Sequence, residues 1–228
     1  MLESLRSLAD PAASGAMLLS LKTLAVAAPC LAVAGVGLGY ALGRGRGTWA
    51  SCLDFLVTLP LVFPPIATGF LLLLLLGRRS AVGGFLAEQA GVEMVFSFWG
   101  VALAAWLAGL PLIVKPVQAA IRRETGRLVE AAYVLGKSPA VTFLRVVLPS
   151  IRRSVWVGLF LALARCLGEV GITLMLGGNI VGKTNTVSLE IYNAVFSGEY
   201  DRALALVLVL GLVSLALVAA TRRLSAGD

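Results

Sequence analysis

Two groups of residues carry types and spacings that could do chemistry. Residues 177–184 read Gly-Gly-Asn-Ile-Val-Gly-Lys-Thr, a literal match to G-x-x-x-x-G-K-[ST]. That pattern cradles nucleotide phosphates only where it follows a strand, opens a helix and has an acidic magnesium partner on a second strand. Gly171 to Leu176 could pass for the strand, but beyond Thr184 the acids are Glu190, Glu199, Asp201 and Asp228, and the remaining apolar run is long enough to span a bilayer. The match is therefore expected to be coincidental. The second group is Arg165 and Glu169, opposite charges at i and i+4 within an otherwise apolar stretch. On one helix face they neutralise each other. The alternative is that Arg165 draws an anion, since charges inside spans usually face a bundle interior or a water-filled cavity.

Other chemistry is poorly supplied. The chain has no histidine, the commonest general base and a common metal ligand. Cys30, Cys52 and Cys166 are odd in number and fit no metal-binding spacing, so they are expected to be packing residues. No cofactor is expected. Without paired carboxylates or histidine, an intramembrane hydrolase is disfavoured.

The elements that position these residues are membrane spans. Of 228 residues, 59% are hydrophobic and 14% charged, with a mean hydropathy of +0.94. Soluble domains run nearer about 45–50% and about 25%. Uncharged runs from Thr23 to Gly43, Phe55 to Gly77, Met94 to Val114 and Ala203 to Thr221 each approach the roughly 20 residues that cross a bilayer. The irregular stretch from Ser154 to Gly182, which holds Arg165 and Glu169, supplies a fifth span. Asn179, Lys183, Asn185 and Glu190 argue against a sixth, lipid-exposed crossing between Ile172 and Phe196. An all-α polytopic protein of five spans is expected, with six as the alternative. Residues 1–228 form one transmembrane domain, leaving no room for a soluble energy-converting domain. The first span reads as retained rather than as a cleaved signal, because its apolar core is too long.

Residues 115–153 carry Lys115, Arg122, Arg123, Arg127, Lys137, Arg145, Arg152 and Arg153 against Glu124 and Glu130. The positive-inside rule makes this stretch a cytoplasmic loop, with the N-terminus outside and the C-terminus inside. The net charge of +7 is thus expected to report orientation rather than nucleic-acid binding. Ile121, Leu128, Ala132 and Leu135 recur at near-helical spacing. A short helix along the membrane follows, ended by a left-handed Gly136 and by Pro139. Periodicity alone favours a helix resting on lipid headgroups. In the second run, Pro64 and Pro65 lack amide hydrogens and free the carbonyls of Pro60 and Leu61, so a bend is expected. Pathway lining and a packed kink are equally consistent with it.

Glu130-Ala131-Ala132, three residues, Gly136, nine residues, then Val146-Val147-Leu148-Pro149 resembles the cytoplasmic signature of ABC importer permeases, whose usual form has Ile where Val146 stands. The resemblance is closer still to molybdate permeases. It runs through Leu59 to Phe70, Ala164 to Gly171 and Gly178 to Tyr192, departing at Val170, where Phe is frequent, and at Ser188, where Pro is common. It implies a type I-like importer fold, a homodimer in a prokaryotic inner membrane, a cytosolic ABC ATPase and an external substrate-binding protein. It makes Glu130, Ala131, Ala132 and Gly136 the ATPase-coupling residues. Pro64, Pro65, Thr68, Arg165, Glu169 and Asn179 become candidates for pathway or gate. Molybdate, tungstate and sulfate remain open as cargo. A stand-alone ion-coupled transporter is the rival class, and Glu169 is its one candidate acid.

Overall fold

The structure is a computed structural model that describes residues 10–225. Its helices are α1 (Pro11–Arg44), α2 (Thr48–Val62), α3 (Pro65–Leu76), α4 (Ala81–Gln89), α5 (Phe98–Glu124), α6 (Gly126–Val134), α7 (Pro139–Thr142), α8 (Leu148–Leu167), α9 (Gly171–Gly177), α10 (Val187–Phe196) and α11 (Tyr200–Ser225). A π-helical turn, Phe143–Val147, joins α7 to α8. No strand occurs among the described residues.

Four spans are continuous: α1, α5, α11 and the run Pro139–Leu167. The fifth is broken, because α2 and α3 meet at an angle of 118°. Pro64 and Pro65 leave the end of α2 without amide donors, and Pro65 then starts α3 at a first-turn position where the missing amide is harmless. The pair still joins the two faces of the bundle. Asp54, in the second turn of α2, bonds Lys115 and Gln118 near the C-terminal end of α5. At the far end, Leu76 of α3 packs with Ile172, Leu176 and Val95, beside the start of α5. Four spans are thus continuous, and the bent pair counted as one crossing makes five. The segment between Ile172 and Phe196 adds none, since α9 has 7 residues and α10 has 10.

Helix α5 is central. Of its apolar window 67% is buried, against 28% or less in the other continuous spans. Its Ile113, Val117 and Ile121 pack onto Gly35, Gly39 and Gly43 of α1, two matching i,i+4 rows. Glycine lets the backbones approach, and β-branched side chains with few rotamers fill the contact. A Cβ at Gly39 would lie 2.5 Å from the Val117 side chain and 3.2 Å from the Val114 carbonyl, whereas one at Gly37 meets nothing within 4 Å. Gly39→Leu is therefore expected to destabilise the bundle by about 1–3 kcal/mol, while Gly37→Ala is neutral or better. Thermal unfolding in detergent checks this; equal midpoints for the two variants would contradict the packing.

Helix α5 also runs to Glu124, so the first ten residues of the stretch 115–153 are not loop but the end of a span. Ile121 accordingly belongs to α5 and not to the short helix its spacing suggested. The chain turns at Thr125, whose hydroxyl donates to the Ile121 carbonyl at 2.8 Å, and α6 follows.

Candidate coupling helix and broken-helix site

Helix α6 stands at the end of the bundle where α1 and α5 finish. Glu130 and Ala131 are exposed and Ala132 is buried, so the three signature residues hold different environments. The helix closes as its spacing predicts: Gly136 has φ +68°, the Gly136 amide donates to Tyr133 at 2.9 Å and the Lys137 amide to Ala132 at 3.0 Å. This reverse turn satisfies the last carbonyls. It also leaves Val134 88% and Leu135 74% exposed on one protruding turn, with Leu144 exposed as well. The periodic apolar face is thus only partly buried. Ala132 packs inward, while Leu128 and Leu135 point out.

At mid-bundle, a second break lies beside the proline break. Helix α8 ends at Leu167, and Gly168 to Val170 separate it from α9. Glu169 consequently sits past the end of the helix rather than on its face, a correction to the simple i,i+4 picture. Its side chain is 1% exposed, and Oε2 pairs with an Arg165 guanidinium nitrogen at 2.7 Å. Oε1 accepts the Ile172 amide of α9 at 2.8 Å. One carboxylate therefore neutralises a cation and caps a helix start, where a negative charge is favourable. Arg165 keeps 32% of its side chain accessible.

The two breaks touch. A Cβ on Gly171 would fall 2.9 Å from the Ile66 amide nitrogen and 2.9 Å from Pro65 Cβ. One turn on, Gly69 faces Ile172 and Met175 equally closely. Thr68 donates its hydroxyl to the Pro64 carbonyl at 3.2 Å, using an acceptor at the start of α3. Pro64 and Pro65 are exposed. Pro64, Pro65, Thr68, Arg165 and Glu169 are thus brought to one region, but Asn179 is not. It lies beyond α9 at the opposite end from α6, in a left-handed turn at φ +52°, exchanging amide hydrogen bonds with Asn193.

The sequence 177–184 forms no phosphate cradle. It follows helix α9, and the amides of Lys183, Thr184 and Asn185 all converge on the Ile180 carbonyl. The buried Thr184 hydroxyl donates to Gly177 at 2.7 Å and accepts from the Ile180 amide at 2.8 Å. Donors and hydroxyl that would hold phosphate and magnesium are consumed within the turn.

Two polar clusters escape a reading of the sequence alone. Asp54 Oδ1 accepts from Lys115 at 2.8 Å and from Gln118 at 2.9 Å. Asp54 resembles the edge of an apolar run, but α2 carries it within the broken span. Near the other face, Arg202 of α11 pairs with the buried Glu190 of α10, with Asp10 at 2.9 Å and with Glu199 at 3.1 Å. Asn185 adds a bond to Glu190 at 2.8 Å. Arg202 and Glu190 stand on different helices 12 residues apart, and only the fold joins them.

A bundle of apolar spans packed on one buried central helix, two adjoining breaks and a protruding helical turn at one end define a transport subunit of the membrane. The chain belongs to the family of binding-protein-dependent transport system inner membrane components, whose model matches residues 35–226. It is 38% identical over 204 residues to the molybdenum transport system permease protein ModB of Mycobacterium tuberculosis, covering 90% of this chain and 76% of that one. With the protein of the same name from Escherichia coli K12 the identity is 33% over 205 residues, covering 89% and 90%. Among solved structures it is similar to a bacterial ABC transporter that imports alginate, with a TM-score of 0.75 at 18% identity, covering 98% of this chain and 82% of the other. A second structure of the alginate transporter, bound to a periplasmic protein that carries an alginate pentasaccharide, gives 0.71 at 19%, covering 93% and 78%. The all-α importer permease fold expected from the motifs is the fold found.

Proposed function

We propose that this chain is the membrane subunit of an ATP-driven molybdate importer. Two copies form the gated pathway, a separate ATPase docks on α6 from the cytosol, and an external binding protein delivers the anion. The observation that carries the coupling role is the turn at Gly136, which leaves Val134 and Leu135 largely uncovered by the described residues. A helix end ordered by its own hydrogen bonds yet apolar outward suits a groove on a partner. The relatives' molybdenum transport supports molybdate as cargo; tungstate and sulfate share its tetrahedral dianion chemistry and stay as alternatives. On this reading the α6 face is cytosolic, and the ends of α3, α9 and α10 face outward.

The ion-coupled rival loses ground to a specific observation. Asp54 and Glu169, the acids within the broken spans, are each paired with a cation, Lys115 and Arg165. Neither is a free carboxylate awaiting a coupling ion. No covalent step is assigned to this chain, whose work is alternating access driven through α6. Affinity purification is expected to bring down an ATPase and, in molybdate, a loaded binding protein. Uptake that persists when the ATPase subunit is deleted would sink the proposal in favour of the ion-coupled class.

A further inference from the structure

A cavity of about 750 Å³ opens where α1 ends and α6 begins, and Arg44, Arg46 and Arg122 line it, with Glu130 and Tyr133 on the α6 side. Arg44 bonds the Tyr40 hydroxyl at 3.1 Å and Arg122 the Leu42 carbonyl at 3.2 Å; the carboxylate beside Arg122, Asp54, is itself bonded to Lys115. A second cavity of about 440 Å³ shares Gly45, Arg46 and Arg122, and continues along α2 past Ser51, Asp54 and Phe55 to Thr58, with the Asp54 carboxylate held by Lys115 and Gln118. Thr58 lies about 15 Å along the helix from Thr48, a depth that reaches the hydrocarbon layer. Phe55 is 64% exposed along that path, and Trp49, 55% exposed beside Gly45, sits at the level where indole rings anchor to a membrane surface.

We infer that this joined groove holds one anionic phospholipid, its phosphate among Arg44, Arg46 and Arg122 and an acyl chain along Phe55. The charge selects an anion, and basic pockets between helix ends at a membrane surface are suited to acidic headgroups. The exposed rings of Trp49 and Phe55 along the same flank of α2 favour a lipid over a free oxyanion, which has no use for an apolar flank. Since Glu130 and Tyr133 share the wall, the bound headgroup sets the position of α6 against the ends of α1 and α5. This does not depend on the cargo or on the docking of an ATPase.

Native mass spectrometry of the full chain in detergent, titrated with phosphatidylglycerol or phosphatidylcholine, tests it. Phosphatidylglycerol is expected to be retained preferentially, and Arg44→Gln/Arg46→Gln to weaken its binding about fivefold per arginine removed. Arg44→Lys/Arg46→Lys keeps most of the binding. Arg222→Gln/Arg223→Gln, an equal charge change at the exposed end of α11 outside the groove, leaves it unchanged. Equal retention of the two lipids, or equal losses for the two Gln pairs, overturns the inference. So does displacement of phosphatidylglycerol by millimolar inorganic phosphate or molybdate, which gives the groove to a soluble oxyanion. If Arg44→Gln/Arg46→Gln loses a copurifying ATPase while keeping its lipid, the cavity belongs to a protein partner instead.

Discussion

Arg165→Ala is expected to lose most of its properly assembled protein, and to lose more than Glu169→Gln does. The asymmetry comes from burial. Removing Arg165 strands a carboxylate that is 1% exposed, and breaking a buried pair this way costs about 3–5 kcal/mol. Glu169→Gln leaves an acceptor for the Ile172 amide and a guanidinium already one-third accessible, which can turn toward water or a neighbour. Glu169→Ala falls between them, because it also uncaps α9, worth about 0.5–2 kcal/mol. Combining Arg165→Ala with Glu169→Gln should recover part of the assembled fraction, measured by size exclusion and thermal unfolding. The double-mutant cycle isolates the pair. Normal assembly of Arg165→Ala with lost uptake, and no recovery on adding Glu169→Gln, would assign Arg165 to the anion instead.

Gly136→Val should release the ATPase while leaving the permease inserted and folded. A Cβ at this position meets nothing within 4 Å, so the effect is purely conformational. At φ +68° an L-residue pays about 1–2 kcal/mol, and a β-branched one more. That shifts the turn's population by a factor of about 5–30. Asparagine tolerates the left-handed region, so Gly136→Asn is expected to retain far more ATPase than Gly136→Val, and more than Gly136→Ala although its side chain is larger than that of Ala. Copurification yield and ATP-driven uptake across Asn, Ala and Val check the order. Retention that tracks side-chain size instead of left-handed tolerance rejects the turn as the coupling element.

What the sequence disclosed and what it hid follow from range. Pro64-Pro65 and Gly136 act through their own φ angles and missing donors, so their consequences were readable in place; only the size of the bend, 118°, was not. Arg165 and Glu169 are near neighbours, and their pairing was legible. The end of α8 between them was not, since the carboxylate caps an amide three residues later without the usual short-side-chain signal. Asp54 and Lys115 are 61 residues apart, and each sat at the border of an apolar run, where charge looks like the start of a loop. The glycine row of α1 has its meaning only against the partner row on α5, which the fold supplies.

The touching breaks also decide where the bundle is compliant. Bending α11 strains an unbroken ladder of helical hydrogen bonds, and α1 and α5 lack only the bonds that Pro29, Pro111 and Pro116 cannot donate. At Pro64 and at Gly168 to Val170 the ladder is already open, at one depth, in two adjoining segments. Helices α3 and α9, clasped through Gly69 and Gly171, can therefore tilt together as one plate on this pair of hinges without breaking the ladder of a continuous helix. Stiffness along the spine and softness along this single crease are written into the same chain.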